Sequence, residues 1–321
     1  IVMSSGVSQI EGDSTLYARK SDGSVWAWGY NLNGQVGNNT TVHQLSPVQV
    51  MASGAADIVM GQSSVYVRKT DGSLWAWGSN SYGQVGNNSS TNQLTPVQVI
   101  SSGVADVTTN GGYGTVYVHK TDGSLWAWGY NLNGRVGNNS TANQLTPVQI
   151  IASGAADVGV STGQGTAYVR KTDGSLWAWG ANSNGSVGNN STTNQLTPVQ
   201  VIASGVTFIR TGSGNPYVRK SDGTVWSWGY NATGAVGNNS TTNQLTPVQV
   251  LTGSVANIWA YLYSVYVIKT DGTLWAWGGN NSGRLGNGGT TAQLTPVQTL
   301  SGGVAQVALP SENTGYARKI D

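Results

Sequence analysis

One position of the chain carries three carboxylates, Asp57, Asp106 and Asp157, about fifty residues apart; the matching residues elsewhere are Gln9, Phe208, Asn257 and Gln306. Carboxylate and carbonyl oxygens suit a hard cation. This set is the sequence's candidate metal cluster, against a reading in which the groups hydrogen-bond water in a channel. Catalytic chemistry has little else to use. His43 and His119 each occur once, at positions where sister segments carry Asn or Arg. There is no cysteine, which excludes disulfides, thiolate zinc sites and cysteine nucleophiles. No phosphate loop, dinucleotide fingerprint or nucleophile elbow is present. The expectation is a protein that is not an enzyme and takes no cofactor.

Two larger sets of residues invite a binding role. Twelve paired tryptophans, Trp26 and Trp28 through Trp275 and Trp277, offer flat faces on which bases or sugars stack. Within an extended strand, however, Trp75 and Trp77 point to the same side, which reads as core between packed sheets. Arg-Lys pairs stand before the turns at Arg19-Lys20, Arg68-Lys69, Arg170-Lys171, Arg219-Lys220 and Arg318-Lys319. A local ion pair between that Lys and the turn Asp, of little energetic weight, is the plainer reading than a phosphate-binding ring.

These residues recur because the chain repeats. Trp-Ala-Trp-Gly stands at Trp26, Trp75, Trp126, Trp177 and Trp275, with Trp-Ser-Trp-Gly at Trp226. A period of 49 to 51 residues marks a repeat architecture in which each unit buries its faces only by stacking on neighbours. In the second unit, residues 55–59 and 65–69 read as strands one and two. Thr70-Asp71-Gly72-Ser73 is a hairpin turn, residues 74–78 are strand three, and Pro96-Val97-Gln98-Val99 is strand four, with Pro at its start. Four strands per repeat of this length make the blade of a β-propeller.

The inner half-unit occurs seven times, at Tyr17, Tyr66, Tyr117, Tyr168, Tyr217, Tyr266 and Tyr316; the outer half occurs six times. The expectation is an all-β chain, a seven-bladed β-propeller of four-stranded antiparallel blades whose seventh blade has its two inner strands only. Residues 1–321 then form a single domain of about 6.5 repeats, cut within the repeat at both ends.

The phrase Trp77-Gly78-Ser79-Asn80-Ser81-Tyr82-Gly83-Gln84-Val85-Gly86, followed by Thr95-Pro96-Val97, resembles the regulator of chromosome condensation repeat. The resemblance runs along essentially the whole chain and implies a seven-bladed propeller. The family includes an exchange factor for a small GTPase, and a secreted bacterial β-lactamase inhibitor has a related propeller. The family's Gly-x-x-His before strand two lacks its His in every unit here, and no insertion resembles an exchange factor's wedge. Both departures argue against exchange activity.

Comparing unit with unit, two stretches differ while the rest is copied. One lies between strands one and two and holds Tyr113, Arg210, Asn215, Trp259, Tyr261 and Tyr263; the other follows strand three and holds Tyr30, Tyr82, Tyr130, Arg135 and Tyr230. In an up-and-down blade both connections leave from one side. Varied loops on a rigid scaffold are where binding specificity sits, and aromatic residues with Arg are the usual anchors. These eleven residues are the candidate partner-binding face, against neutral drift in exposed loops.

Only 9% of residues are charged, against about 25% in ordinary domains, and the formal charge is +2. No broad field invites nucleic acid or anionic membrane. No apolar run approaches the roughly 20 residues that cross a bilayer. The expected function is extracellular or cell-surface recognition in a bacterium, with a protein or glycan ligand on one face, no nucleic acid and no membrane insertion. The alternatives are a lectin, which would repeat one pocket in each blade, and a structural surface scaffold.

Overall fold

The computed structural model describes residues 5–110, 112, 114–161, 163–311 and 314–319. Each repeat supplies four antiparallel strands in chain order, giving six four-stranded sheets, and one last sheet has two strands. The first strands are Val7–Gly12, Ala55–Met60, Val104–Asn110, Ala155–Val160, Val206–Thr211, Val255–Tyr261 and Val304–Ser311. The second are Thr15–Lys20, Ser64–Lys69, Thr115–Lys120, Thr166–Lys171, Pro216–Lys220, Ser264–Lys269 and Thr314–Lys319. The Trp-bearing third strands are Val25–Gly29, Leu74–Gly78, Leu125–Gly129, Leu176–Gly180, Val225–Gly229 and Leu274–Gly278. The fourth are Gln44–Met51, Gln93–Ile100, Gln144–Ile151, Gln195–Ile202, Gln244–Leu251 and Gln293–Leu300. The fold is therefore the seven-bladed β-propeller expected, with two strands in its seventh blade.

The chain divides into two compact units, Ile1–Val158 and Gly159–Asp321. In the first, the core lies between successive blades. Tyr17, Val25, Ala27 and Val36 of blade one meet Ile58, Val65, Val67 and Trp77 of blade two. Tyr66, Leu74, Ala76 and Val85 of blade two meet Val107, Val116, Val118 and Trp128 of blade three. Strands two and three thus alternate between neighbours: Trp77 turns to the blade before, Ala76 to the blade after. Both faces are buried, which is why these strands read as near-continuous apolar runs. The second unit repeats the arrangement. Tyr168, Leu176 and Val187 meet Val206, Val218 and Trp228, and Tyr217, Val225 and Leu251 meet Val255, Val265 and Trp277.

The two tryptophans of a pair have different surroundings. Trp77, Trp128, Trp179, Trp228 and Trp277 are fully buried, whereas Trp28 and the first member of every pair are half-buried. The second indole donates its N–H to a carbonyl of the preceding blade: Trp77 Nε1 to Gln35 O (2.8 Å), Trp128 to Gln84 O (2.9 Å), Trp228 to Ser186 O (2.9 Å) and Trp277 to Ala235 O (3.0 Å). The same carbonyls accept the tyrosine of their own blade, from Tyr17 (2.6 Å), Tyr66 (2.7 Å), Tyr168 (2.5 Å) and Tyr217 (2.9 Å). Burial holds the hydroxyls of Tyr17, Tyr66, Tyr168 and Tyr217 well above the usual phenol range, so they remain donors.

The first tryptophan belongs to the turn. Trp75 Nε1 donates to Ser73 Oγ (3.1 Å), and Ser73 donates both N–H and O–H to Asp71 Oδ1 (2.9 and 2.6 Å). These hydrogen bonds hold the Asp71 carboxyl below the usual range. The lysine lies over the ring: Lys69 Nζ is 5.3 Å from the Trp75 centroid and Lys269 Nζ 4.4 Å from that of Trp275. The lysine's closest partner is thus an aromatic face, and its charge adds only a minor pull on the Asp71 carboxyl beside the Ser73 hydrogen bonds.

These surroundings set an order of costs. Trp128→Ala should destabilise by roughly 3–5 kcal/mol, as a core truncation does. Trp126→Ala, with one face in water, should cost clearly less. Denaturant unfolding of both variants checks this; equal costs would contradict the division of roles.

Candidate partner-binding site

The long connection after strand three has little secondary structure, and a single asparagine organises it. Asn80 Oδ1 accepts Val85 N–H (2.9 Å), and Asn80 Nδ2 donates toward Asn87 Oδ1 (3.1 Å), Ser89 O (2.9 Å) and Thr91 O (3.0 Å). Asn80 N–H in turn donates to Asn92 Oδ1 (2.9 Å). Asn31, Asn131, Asn182, Asn231 and Asn280 are equally buried and form the same bond to the residue five positions on. A buried amide must be satisfied on all sides, so this hub fixes the loop and presents what lies beside it. The asparagines were visible as the invariant Asn of the Trp-Gly-x-Asn phrase, but their role was not. His43 fits the same scheme: its Nδ1 accepts Asn31 N–H (3.0 Å), the place Asn92 fills in the next blade. His119 Nε2 lies 2.8 Å from Ala155 O.

In the first unit both varied loop classes meet at one cleft of about 500 Å³. Its walls are Glu11 to Thr15, Tyr30 with Gln35, and Met60 to Ser63 of the next blade. Tyr30 is 39% exposed and lies flat on His43, with ring centroids 5.0 Å apart. Glu11 and Asp13 are the charged groups in the lining, which contains no Lys or Arg. Gln9 ties this edge to the next blade, donating to Asp57 Oδ1 (2.9 Å) and Ile58 O (3.0 Å). Elsewhere in the unit Tyr82, exposed, packs on Tyr130 at 4.8 Å.

In the second unit Tyr230 of the blade-five loop packs on Tyr263 of blade six at 5.3 Å. Tyr261 is exposed. Arg210 is exposed, donates from Nε to Ile258 O (3.2 Å) and lies over Phe208.

Five expectations need correction or fall outside. Arg135 is only 4% exposed and lies over the Tyr130 ring at 5.2 Å; it supports that tyrosine instead of facing solvent. Asn215 is fully buried, and its Nδ2 donates to Trp228 O (2.8 Å) and Tyr230 O (2.7 Å). Thr15, Thr115, Thr166 and Ser264 make the equivalent bond elsewhere, to Tyr30, Tyr130, Ala181 and Gly279 carbonyls. Asn215 is thus a replacement part for the scaffold. Trp259 is half-buried and packs on the core shared by Tyr266, Leu285 and Val304, so its large ring fills space beside the last hairpin. Tyr113 lies outside the described residues. Among the described residues no group of three or more His, Cys, Asp or Glu is placed to hold a metal, and Asp57, Asp106 and Asp157 form no such cluster.

Comparison with known proteins agrees with this architecture. The sequence profile of the regulator of chromosome condensation (RCC1) repeat matches residues 22–66, 71–115, 122–166, 173–215, 222–259 and 271–313. The chain belongs to that repeat family. The fold is similar to yeast RCC1 (Prp20), in the crystal structure of Kap60 bound to it: TM-score 0.69, 15% identity, 97% of this chain and 79% of that one. It is similar to human WBSCR16, with TM-score 0.66, 21% identity, and coverage of 93% and 84%. It is also similar to Prp20p from Saccharomyces cerevisiae, in a study of its binding to Gsp1p and histones: TM-score 0.66, 16% identity, coverage of 90% and 76%.

Asn215→Ala should cost about 1–3 kcal/mol, the loss expected for a buried group whose partners become unsatisfied. Asn215→Thr should recover most of it, because threonine does this work in blades one, three and four. Thermal unfolding of the two variants reads the difference. A threonine variant as unstable as the alanine one would contradict the assignment.

Proposed function

We propose that the protein is a non-enzymatic recognition module, extracellular or on a bacterial cell surface, that binds a protein partner through the varied loop ends of its blades. The observation that carries this reading is the cleft in the first unit, where Glu11, Asp13, Tyr30 and Met60 come from both varied loop classes of two blades. Its volume of about 500 Å³ is in the range of ligand-holding clefts. With two carboxylates, an exposed aromatic ring and no basic residue in its lining, it fits a Lys or Arg side chain beside an apolar contact. Yeast Prp20 and Prp20p, which share the fold, appear with protein partners. A lectin reading requires the same pocket in each blade, and the residues that form this one differ from unit to unit. A purely structural scaffold gives no reason for variation beside so constant a framework.

The test is retention of proteins from the source's secreted and surface fraction on the immobilised chain, with a glycan array in parallel. One protein should bind the parent, and Tyr30→Ala should weaken it by roughly 2 kcal/mol or more, about thirtyfold, without a shift in Tm. Glu11→Gln should weaken it and reduce its salt dependence. Glycan binding that survives Tyr30→Ala, with no protein retained, would replace this reading with the lectin.

A further inference from the structure

One groove recurs between neighbouring blades, at the Asp-Gly-turn end of the strands and away from the varied loops. In the first unit a groove of about 340 Å³ sets Lys69, Trp75 and Pro96 of blade two against Val50 and Ser53 of blade one. A second, of about 290 Å³, sets Lys120, Trp126 and Pro147 of blade three against Val99 and Ser101 of blade two. In the second unit a groove of about 360 Å³ sets Lys269, Trp275 and Pro296 against Val250 and Thr252. Each groove thus takes a lysine, a tryptophan and a proline from one blade, and a valine with a hydroxyl residue from the blade before.

The tryptophan of each groove is half-buried. Its Nε1 is already bonded to the turn, from Trp75 to Ser73 (3.1 Å), Trp126 to Ser124 (3.0 Å) and Trp275 to Thr273 (3.0 Å). It therefore offers a ring and no donor. The lysine Nζ stands 5.3, 5.5 and 4.4 Å from the three ring centroids. It is the charged group of each lining, which among the described residues holds no Asp or Glu. The turn uses only the lysine's main chain: Lys69 N–H donates to Ser73 O (2.9 Å), and Gly72 N–H donates to Lys69 O (3.0 Å). The residue before the lysine changes from blade to blade, as Arg68, His119 and Ile268 show, yet the lysine stands in every copy. The proline recurs as well, at Pro47, Pro96, Pro147, Pro198, Pro247 and Pro296. A cationic side chain that the turn does not need, held constant beside an aromatic ring, has the make-up of a ligand site.

We propose that these grooves are repeated binding sites for acidic sugars, pyranose rings that carry a carboxylate or a sulfate ester. A pyranose has an apolar face of C–H groups and a polar rim. The C–H face lies on the tryptophan and proline, the acid group takes a charge-assisted hydrogen bond from the lysine, and the Ser or Thr hydroxyl meets the rim. One lysine per groove matches one negative charge per sugar. The volumes are in the lower range of ligand sites, which suits a short oligosaccharide held weakly. A polysaccharide that repeats the acidic unit engages more than one groove and gains by avidity. None of the residues of the varied cleft takes part, so this inference and the protein-partner reading stand or fall separately.

The experiment titrates the full chain with a galacturonate oligosaccharide and with a sulfated carrageenan oligosaccharide, read by calorimetry. Three or more equivalent sites per chain are expected for at least one of them, and the preference between the two names the acid. The same oligosaccharide without its charge, methyl-esterified or desulfated, should bind roughly tenfold more weakly or worse, as the loss of a charged hydrogen bond predicts. Polyglutamate, which has the charge without the sugar ring, should not compete. A chain carrying Lys69→Met, Lys120→Met and Lys269→Met together keeps the aliphatic stems and should lose three of the sites with its Tm retained. Tyr30→Ala should leave all of them. The uncharged sugar and polyglutamate need no variant, so the proposal remains testable if the triple variant misfolds. Binding by neither oligosaccharide overturns it, as does equal binding by the uncharged sugar or by polyglutamate. A single sugar site that disappears with Tyr30→Ala would move sugar binding to the varied cleft and overturn it as well.

Discussion

A backbone carbonyl that accepts two aromatic donors is the interaction on which this structure depends. Gln84 O takes the Tyr66 hydroxyl from its own blade and the Trp128 indole N–H from the next. The pattern recurs at Gln35, Ser186 and Ala235. Both donors are buried with large apolar bodies, and a buried aromatic with a polar tip needs a partner for that tip. Because the acceptor is main chain, the side chain that carries it is free to vary. Gln, Ser, Ala and Arg all occupy this position. The chain can change the side chain at that buried residue without disturbing the joint between blades.

The loop above the joint obeys the same logic. Glycine lets the loop close over the indole, and the buried asparagine holds the remainder through main-chain groups. Trp, Gly, the hub asparagine, the buried Val or Leu and the Asn that follows the last Gly recur in every copy, while the residues beside them change. The residues between them, Tyr30, Tyr82, Tyr130 and Tyr230, face outward or lean on neighbours. A repeat protein that must present different surfaces from nearly identical blades needs this separation between constant framework and varied display.

Much of this was legible in the residues. The period of the Trp-x-Trp phrase, the Asp-Gly turns and the seventh tyrosine, Tyr316, were enough to count blades and to place the two-stranded one. Spacing does not show depth, however. Arg135 and Asn215 vary between units as surface residues do, yet both are buried: Arg135 lies under the Tyr130 ring, and Asn215 resupplies the hydrogen bonds its sisters make with threonine. Trp259 looked like an anchor for a partner, but its strand abuts the last hairpin and its ring fills space there. The lysines do attract the turn aspartates two residues on, but weakly; the aspartates bond chiefly to Ser or Thr within the turn, and the ammonium groups lie over the tryptophan faces. In each case a third group decided the outcome, and pairwise spacing carries no information about it.

The shared carbonyl can be tested directly by a double-mutant cycle on Tyr66→Phe and Trp128→Phe, with stability read by denaturant unfolding. Each single change leaves Gln84 O with one donor, whereas the pair leaves it buried with neither, and an unsatisfied buried group costs more than a lost bond. The double variant should therefore lose about 1 kcal/mol more than the sum of the singles, within the range of coupled neighbours. Additivity to within about 0.3 kcal/mol, as for independent sites, would show that the two donors act separately and would contradict the account.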